Sequence, residues 1–600
     1  NKTIHVGRVF DICVEKNWEL PESDPNRKFK GRVVFEGCNV RDEAGNYAMF
    51  AEIASAPATM EAGKYTDAYG MLPGHVCEQA DGESAYTQAL LGGEPTYVRL
   101  PKDRWPKGWA SKYVDPVCPL RLALYGHPDA GGFWEKHCEA ALKKVGFEPA
   151  PDPWKSVFWN KDLKVLLTVY VDDFKMAGPR CSVGKAWGLI GTKIKLETPM
   201  AANRYLGCDH IRTTIKVTDG FDPRHAPVDG VHVKKVKPDF LLAPDKKVGL
   251  PTGGRHDKGR AQKDYEEHTW EKVDKSARKF QTTSVGGPDW GSVVRRDTFS
   301  LKDGSLILSE DVKDLKGEAL CRALPNNTVG TRTVLHYRTP KRSGAELRLQ
   351  MMQYDMKEFL KQCCDKYVEI CTSKSLPVKF VKAETPFIDE NKPECDENDE
   401  TAKGALASGA SQVLMKVLYA ARMGRYDLIR PVTALASKVT KWTPLCDRKL
   451  FRLMCYINSS LDTYMYGWIG DKAEDLEVVL YCDADLAGDR TDGKSTSGVF
   501  LCLVGRNSFF PIAGLSKKQT SVAKSTPEAE IVAIDAGISK EGIPAIVLWE
   551  FITGKKKMIR LMEDNTAASR ILITGRNPTM KHMSRTQRID ISWLNERYSE

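Results

Sequence analysis

A chain of 600 residues is too long for one ordinary core and predicts roughly three to four domains. With 42% hydrophobic and 28% charged residues, and no apolar run near the ~20 residues that a spanning helix needs, its composition excludes a membrane protein. A net charge of +10 is compatible with a polyanionic partner, and sixteen scattered cysteines without a C-x-x-C pair exclude a disulfide scaffold and point to a reducing, intracellular setting.

Residues 1–27 read as an N-terminal flank, and "NKTIHVGRVF" carries neither an initiator Met nor a leader, so the chain is read as a fragment. From 28 to 211, β-like runs such as "FKGRVVFEG", "TYVRLP" and "VLLTVYV" alternate with helical stretches, predicting an α+β domain. Residues 212–344 are rich in Lys, Gly, Pro and Asp with weak periodicity, and read as an insertion or a partly ordered linker. Between 345 and 470 the sequence is predicted helical, in "ELRLQMMQYDMKEFLKQCCDKY", "SQVLMKVLYAARM" and "DRKLFRLMCYINSSL", with the acidic stretch "DENKPECDENDETAKG" as a solvated hinge and Lys449 and Arg452 giving the last helix a basic edge. Residues 476–600 read strand, strand, strand, a helix from Thr526 to about Phe551, strand, helix: a mixed sheet with helices packed on it.

Within that last region "GDRTDGKS", Gly488 to Ser495, fits the phosphate-loop pattern G-x-x-x-x-G-K-[ST] and would by itself suggest a nucleotide triphosphatase. Such a loop works by aiming a helix N-terminus at the phosphates. The β-favouring "TSGVFLCLVG" follows instead, so a strand is predicted there and the phosphate loop is the weaker reading.

The stretch "LLTVYVDDFKMAG", Leu166 to Gly178, places Asp172 and Asp173 at the tip of a hairpin between apolar strands. Two carboxylates about 4 Å apart repel by about 4 kcal/mol at an effective dielectric of about 20. Either one is protonated or both face solvent in an ordinary turn, or divalent cations compensate, in which case a third carboxylate on a neighbouring strand completes a two-metal site. Asp81 in "CEQADGESAYTQAL" is the candidate.

Five ordered blocks over about 180 residues, "FKGRVVFEG", "QADGESAYTQA", "LALYGHPDAGGFW", "YVDD" and "YLGCDH", resemble the reverse transcriptase of a copia-type LTR retrotransposon Pol polyprotein. The resemblance implies a right-hand polymerase with a palm and fingers, in which Asp81, Asp172 and Asp173 hold two Mg²⁺ (or Mn²⁺) ions. It also implies that Tyr86 lies under the incoming sugar and excludes a 2′-hydroxyl. Tyr170 and Val171 belong to the same substrate-facing block. Lys30 and Arg32 sit in the fingers-like block, where they would grip the triphosphate; a core tyrosine and solvated surface cations are the plain alternatives. The chain departs from the family at Gly82, where a side chain is usual, and at Asp129, Ala130 and Gly131.

The C-terminal stretches "YCDADLAGDRTDGKSTSG", "GLSKKQTSVAKSTPEAEIVAIDAG", "MEDNTAAS" and "RTQRIDISWL" resemble the ribonuclease H domain that follows the polymerase in that family. A ribonuclease H gathers about four carboxylates around two Mg²⁺ ions, and the matching positions are Asp483, Glu530, Asp564 and Asp590. Glu528 is excluded because Ser525-x-x-Glu528 is a capping box that already employs it. Asp485 and Asp489 read as loop carboxylates, and Arg588 stands where the family often has His. The expected architecture is therefore α+β: a polymerase palm and fingers, a helical thumb or connection, and a ribonuclease H-like α/β domain.

The partners implied are an RNA template, a DNA primer, an RNA/DNA hybrid and dNTPs, with no membrane. The duplex would be held largely through its phosphates. Capsid, protease and integrase parts belong upstream, since neither a D-[ST]-G protease motif nor an integrase zinc pattern is present. The implied setting is cytoplasmic and particle-associated, with a nuclear phase. The alternative is a catalytically decayed copy that only binds nucleic acid.

Overall fold

In a computed structural model the described residues are 3–16, 22–23, 27–50, 55–217, 267–274, 279–283, 293–301, 306–308, 328–336, 347–388, 402–488, 492–580 and 582–599. The fold is mixed α+β. It divides into two compact units, one built from Asn1–Thr214 with Leu349–Glu600 and the other from Ile215–Arg348.

The first unit contains three sheets. Strands Lys28–Phe35, His5–Lys16, Thr96–Arg99 and Val117–Pro119 lie side by side in that order over a small core of Val9, Phe35, Val40 and Val98. The residues expected as a flank thus contribute a strand, with Phe10 opposite Val34 and Lys16 opposite Lys28.

The second sheet runs Met200–Ala201, His75–Asp81, Asp173–Pro179, Val165–Tyr170, Val157–Asn160 and Glu148–Pro149. Apart from the buried Thr168 and Lys175, its hairpin strands are apolar on both faces because both are covered, as continuous rather than alternating hydrophobic runs require. Helix Ala130–Lys144 packs in the core on one side, with Trp134, Cys138 and Leu142 beside Leu167 and Phe174. Helix Met60–Gly70, buried from Ala62 through Gly70, packs against strands Asp173–Pro179 and His75–Asp81 and also against Ser508–Lys518 of the third sheet.

The third sheet has eight strands in the order Arg204–Tyr205, Cys208–Val217, Leu347–Asp355, Met465–Ile469, Ser508–Lys518, Thr496–Gly505, Glu477–Ala484 and Ile559–Met562. The segment 347–355, expected as helix, is a strand paired with Met465–Ile469, Gln350 opposite Ile469 and Tyr354 opposite Met465. Leu, Met and Gln are good helix formers. Cross-strand pairing overrides that preference, and the helix begins only at Lys357. Helices Ala410–Gly424 and Pro444–Ser459 follow as expected. One core runs from Tyr65 and Leu166 through Leu414 and Leu450 to Ile531 and Trp549, joining the N- and C-terminal parts of this unit.

A buried polar group lies inside that joint. Lys175 Nζ is 2.7 Å from Asp67 Oδ1, with both side chains 1% exposed. Tyr354 donates to Asp67 Oδ2 at 2.9 Å, and His210, from the "YLGCDH" block, lies 3.5 Å from the same oxygen. Burial would raise the Asp67 carboxyl, but the Lys175 and Arg212 cations and the hydrogen bond from Lys175 outweigh it and hold it low; burial also pushes His210 down to about 3.

The second unit is an antiparallel five-stranded sheet of Lys279–Thr283, Glu267–Asp274, Thr328–His336, Val293–Leu301 and Leu306–Leu308, with Trp270 opposite Thr333 and Arg296 opposite the same threonine. It falls within the stretch read from composition as an insertion or linker. The acidic hinge lies mostly outside the described residues. Among the described residues no helix is long and apolar enough to cross a membrane.

Candidate metal centres

Tyr170 pairs with Asp173, so Val171 and Asp172 form a two-residue turn joining strands Val165–Tyr170 and Asp173–Pro179. Val171 has φ +59°, a left-handed conformation that a β-branched residue adopts only under strain of about 1–3 kcal/mol. Two bonds hold it there. Trp134 Nε1 donates to the Val171 carbonyl at 2.7 Å, and the Gly82 N–H donates to the Asp172 carbonyl at 2.7 Å.

Asp81 ends its strand directly opposite Asp173. Residues so placed lie about 4.5–5.5 Å apart at Cα, and like charges there repel. Register therefore sets the backbones of Asp81, Asp172 and Asp173 at one hairpin tip, but their carboxylate oxygens do not all lie within 4.8 Å of one another. Gly82 does not break this arrangement. Its N–H clamps the tip, and a Cβ there would meet its nearest neighbours, Ala85 Cβ and the Asp172 oxygen, at 3.4 Å.

Tyr86, on the 3₁₀ turn Ala85–Gln88, lies beside this tip, its ring 4.7 Å from that of Tyr125. Burial and then the Asp172 carboxylate raise the pKa of both phenols, and at Tyr125 the Arg32 guanidinium opposes them. Arg32 stands 5.6 Å from the Tyr125 ring centre. A row thus runs Arg32, Tyr125, Tyr86, Asp172. Lys30 is two residues from Arg32 on the same strand and therefore shares its face. Tyr125 was not singled out from sequence, although it lies within the block "LALYGHPDAGGFW". Asp129 is 7% exposed at the start of helix Ala130–Lys144 and makes no side-chain cap.

Among the described residues, Asp483, Glu530 and Asp564 form the one group of three acidic, His or Cys side chains whose ligand atoms all lie within 4.8 Å of one another. Strands Glu477–Ala484 and Ile559–Met562 run parallel, Tyr481 opposite Met562, so their C-terminal ends present Asp483 and Asp564 together. Helix Thr526–Gly537 supplies Glu530. Its start follows from the sequence: Ser525 Oγ accepts from the Glu528 N–H at 3.4 Å, Glu528 Oε2 accepts from the Lys524 N–H at 3.0 Å, and Pro527 sits in the first turn. Glu528 also meets His582 Nε2 at 3.3 Å. Its carboxylate is occupied, although the bond it makes at the helix start is to the residue before the N-cap and not to the Ser525 N–H of a reciprocal capping box.

Glu530 is 3% exposed and its Oε2 has no hydrogen-bond partner. Burial, followed by the Asp483 carboxylate, pushes it up to about 7, against a bond from the Ala484 N–H. Burial and then Asp564 raise Asp483 as well. Glu563, which was passed over in sequence, is pushed up to about 8 by burial, with Glu530, Asp564 and Asp483 adding to the shift, and its Oε2 is also unpartnered. The tripeptide "MED" offers two carboxylates, and no local pattern says that both turn toward the group. A buried carboxylate oxygen without a donor, among other carboxylates, is what a divalent cation satisfies.

Asp590 does not join this group. Its Oδ1 accepts from the Ser592 N–H at 2.8 Å and the Trp593 N–H at 3.4 Å, which caps helix Ile591–Ser599. Asp485 accepts from the Thr496 N–H and pairs with Arg430 at 3.3 Å, a loop role as expected, while Asp489 lies outside the described residues. After Lys494 and Ser495 comes strand Thr496–Gly505 rather than a helix, so the phosphate-loop motif lacks the helix N-terminus that it needs.

No protein-family model matches the chain. Over 118 residues it is 33% identical to the secreted RxLR effector protein 161 of Plasmopara viticola, a stretch that makes up 20% of this chain and 78% of that protein.

Proposed function

The chain belongs, over the stretch they share, to the sequence family of that effector protein, and we propose that it is a copia-type Pol fragment with RNA-directed DNA polymerase and ribonuclease H activities. The observation that carries this reading is the group Asp483, Glu530 and Asp564 with the unpartnered, buried Glu530 oxygen. Its setting adds support. Three antiparallel strands, a parallel fourth beside the first, and a helix bearing a carboxylate over them are what a ribonuclease H-like domain requires.

In the proposed nuclease centre, Asp483, Glu530 and Asp564 would hold two Mg²⁺ or Mn²⁺ ions, with Glu563 beside them. Bound there, the metals would supply an activated water and charge stabilisation at the leaving 3′-oxygen of the RNA strand. Binding would displace the proton that Glu530 keeps near neutral pH.

In the proposed polymerase centre, Asp81, Asp172 and Asp173 would hold the corresponding pair for a primer 3′-hydroxyl and an incoming dNTP. The chain's own residues then divide the remaining work. Trp134 and Gly82 keep the hairpin tip from moving, Tyr86 offers a ring face to the sugar, and Arg32 and Lys30 face the triphosphate. Partners on this reading are an RNA template, a DNA primer, the RNA/DNA hybrid and dNTPs in an intracellular particle.

Two assays test the proposal separately. Cleavage of the RNA strand of a hybrid in Mg²⁺ should vanish in Asp483→Asn, and primer extension on an RNA template should vanish in Asp172→Asn. Equal activity of variant and parent, or none in the parent, defeats the corresponding half.

A further inference from the structure

The segment between strands Thr96–Arg99 and Val117–Pro119 carries Trp105, Trp109 and Tyr113 at intervals of four residues. Their rings form a ladder: Trp105 and Trp109 lie 6.3 Å apart, Trp109 and Tyr113 5.9 Å. No residue from 101 to 115 is buried, and Tyr113 is 54% exposed. The ladder is nevertheless tied down. Trp105 Nε1 donates to the Leu100 carbonyl at 3.0 Å, Arg104 pairs with Asp11 of the adjoining strand at 2.7 Å, Arg99 pairs with Asp115 at 3.0 Å, and the Tyr113 N–H donates to the Trp109 carbonyl at 2.9 Å.

Three aromatic rings held at the surface without a core to fill mark a contact site. Its charge selects the partner. Residues 99–121 contain six basic and two acidic side chains, and Lys102, Lys107 and Lys112, interleaved with the rings, make no ion pair among the described residues. Rings that take base faces, interspersed with cations that take phosphates, form a platform for unpaired nucleotides. A duplex keeps its base faces stacked inside and presents phosphates, sugars and groove edges, none of which offers a base face to a ring. We propose that Trp105, Trp109 and Tyr113, with Lys102, Lys107 and Lys112, bind single-stranded nucleic acid by stacking. This site does not depend on the polymerase reading. If that reading holds, the strand bound here is unpaired template, because the segment leads directly through Arg121 and Ala123, bonded to Leu91 and Ala89, to Tyr125 beside Tyr86.

The test measures anisotropy of a fluorescent uridine oligonucleotide and of an RNA/DNA hybrid of equal length, using the full chain in EDTA, where neither metal centre can act. Trp109→Ala and Tyr113→Ala should each weaken single-strand binding about 5- to 100-fold and change hybrid binding less than about twofold, while Trp109→Phe keeps most of the affinity. Replacing Lys102, Lys107 and Lys112 together by Ala should flatten the salt dependence by about two ions. Tyr113 is exposed, so its variant tests the site even if Trp109→Ala unfolds. Unchanged single-strand affinity in Tyr113→Ala, equal losses on both ligands, or vesicles of anionic lipid losing affinity while RNA does not, overturns the proposal. A chain that fails to extend a primer but shows the selective loss keeps this site and loses only the polymerase assignment.

Discussion

Glu530→Gln is expected to stabilise the metal-free protein while abolishing the nuclease. In the folded state the Glu530 carboxyl sits at about 7 instead of its ordinary 4.5, because burial and the Asp483 and Asp564 carboxylates disfavour its ionised form. A group whose pKa is raised by folding stabilises fully below its unfolded value and loses that contribution as pH climbs through the folded value. The full gap amounts to about 3 kcal/mol, and about 2 kcal/mol of it is lost between about pH 5.5 and pH 8.5. Glutamine has no charge to lose. Thermal unfolding in EDTA should therefore show the variant more stable than the parent, by a margin that widens over that pH range. Adding Mg²⁺ should reverse the order, since only the parent gains from binding. A margin that does not change with pH, or a variant less stable at high pH, refutes the claim that an unpaired buried carboxylate waits for a cation.

Breaking the buried pair by Lys175→Met should lower stability by about 3–5 kcal/mol, because Asp67 is left charged at 1% side-chain exposure; chemical denaturation checks this, and a loss below about 1 kcal/mol contradicts it. Val171→Gly should raise stability by about 1 kcal/mol in the same measurement by relieving the φ of +59°, and should lower primer extension if a stiff tip matters. Gly82→Ala should fold and retain incorporation, since its Cβ meets nothing nearer than 3.4 Å, whereas Gly126→Ala, with φ +88° and a Cβ that would collide with the Phe35 carbonyl oxygen, should fail to give soluble protein. Asp590→Ala should cost about 1 kcal/mol as a lost helix cap and leave Mg²⁺-induced stabilisation in place, which thermal unfolding with and without the ion would show.

What could be read in advance was what short-range chemistry decides. The hairpin around Asp172 and Asp173 announced itself because apolar runs flank a two-residue turn, and Glu530 was separable from Glu528 because a capping box is a four-residue pattern. Asp483 and Asp564 could be placed because one lies at the end of strand Glu477–Ala484 and the other two residues beyond strand Ile559–Met562, both visible as β-branched or apolar sequence. The failures have a common cause in packing between distant segments. Segment 347–355 has helix-forming residues and becomes a strand because Met465–Ile469, more than 100 residues away, offers an edge. Helix Met60–Gly70 is buried from Ala62 through Gly70, so it has no polar stripe whose period could reveal it. Glu563 and Tyr125 acquire their environments from partners on other elements, Glu530 and Asp483 for one, Arg32 and Tyr86 for the other. Asp590 stands apart from the three-carboxylate group for the opposite reason: a carboxylate followed by a short helix can serve as a cap, and a cap is a local role that a match to a family pattern does not exclude. The two centres therefore differ in what holds them. The nuclease group depends on the parallel pairing of Glu477–Ala484 with Ile559–Met562 and on one helix start, whereas the hairpin site depends on the antiparallel register that sets Asp81 opposite Asp173 and on two bonds to its turn carbonyls, from Trp134 Nε1 and the Gly82 N–H, so a substitution at Trp134 should disturb the hairpin site and leave the nuclease group in place.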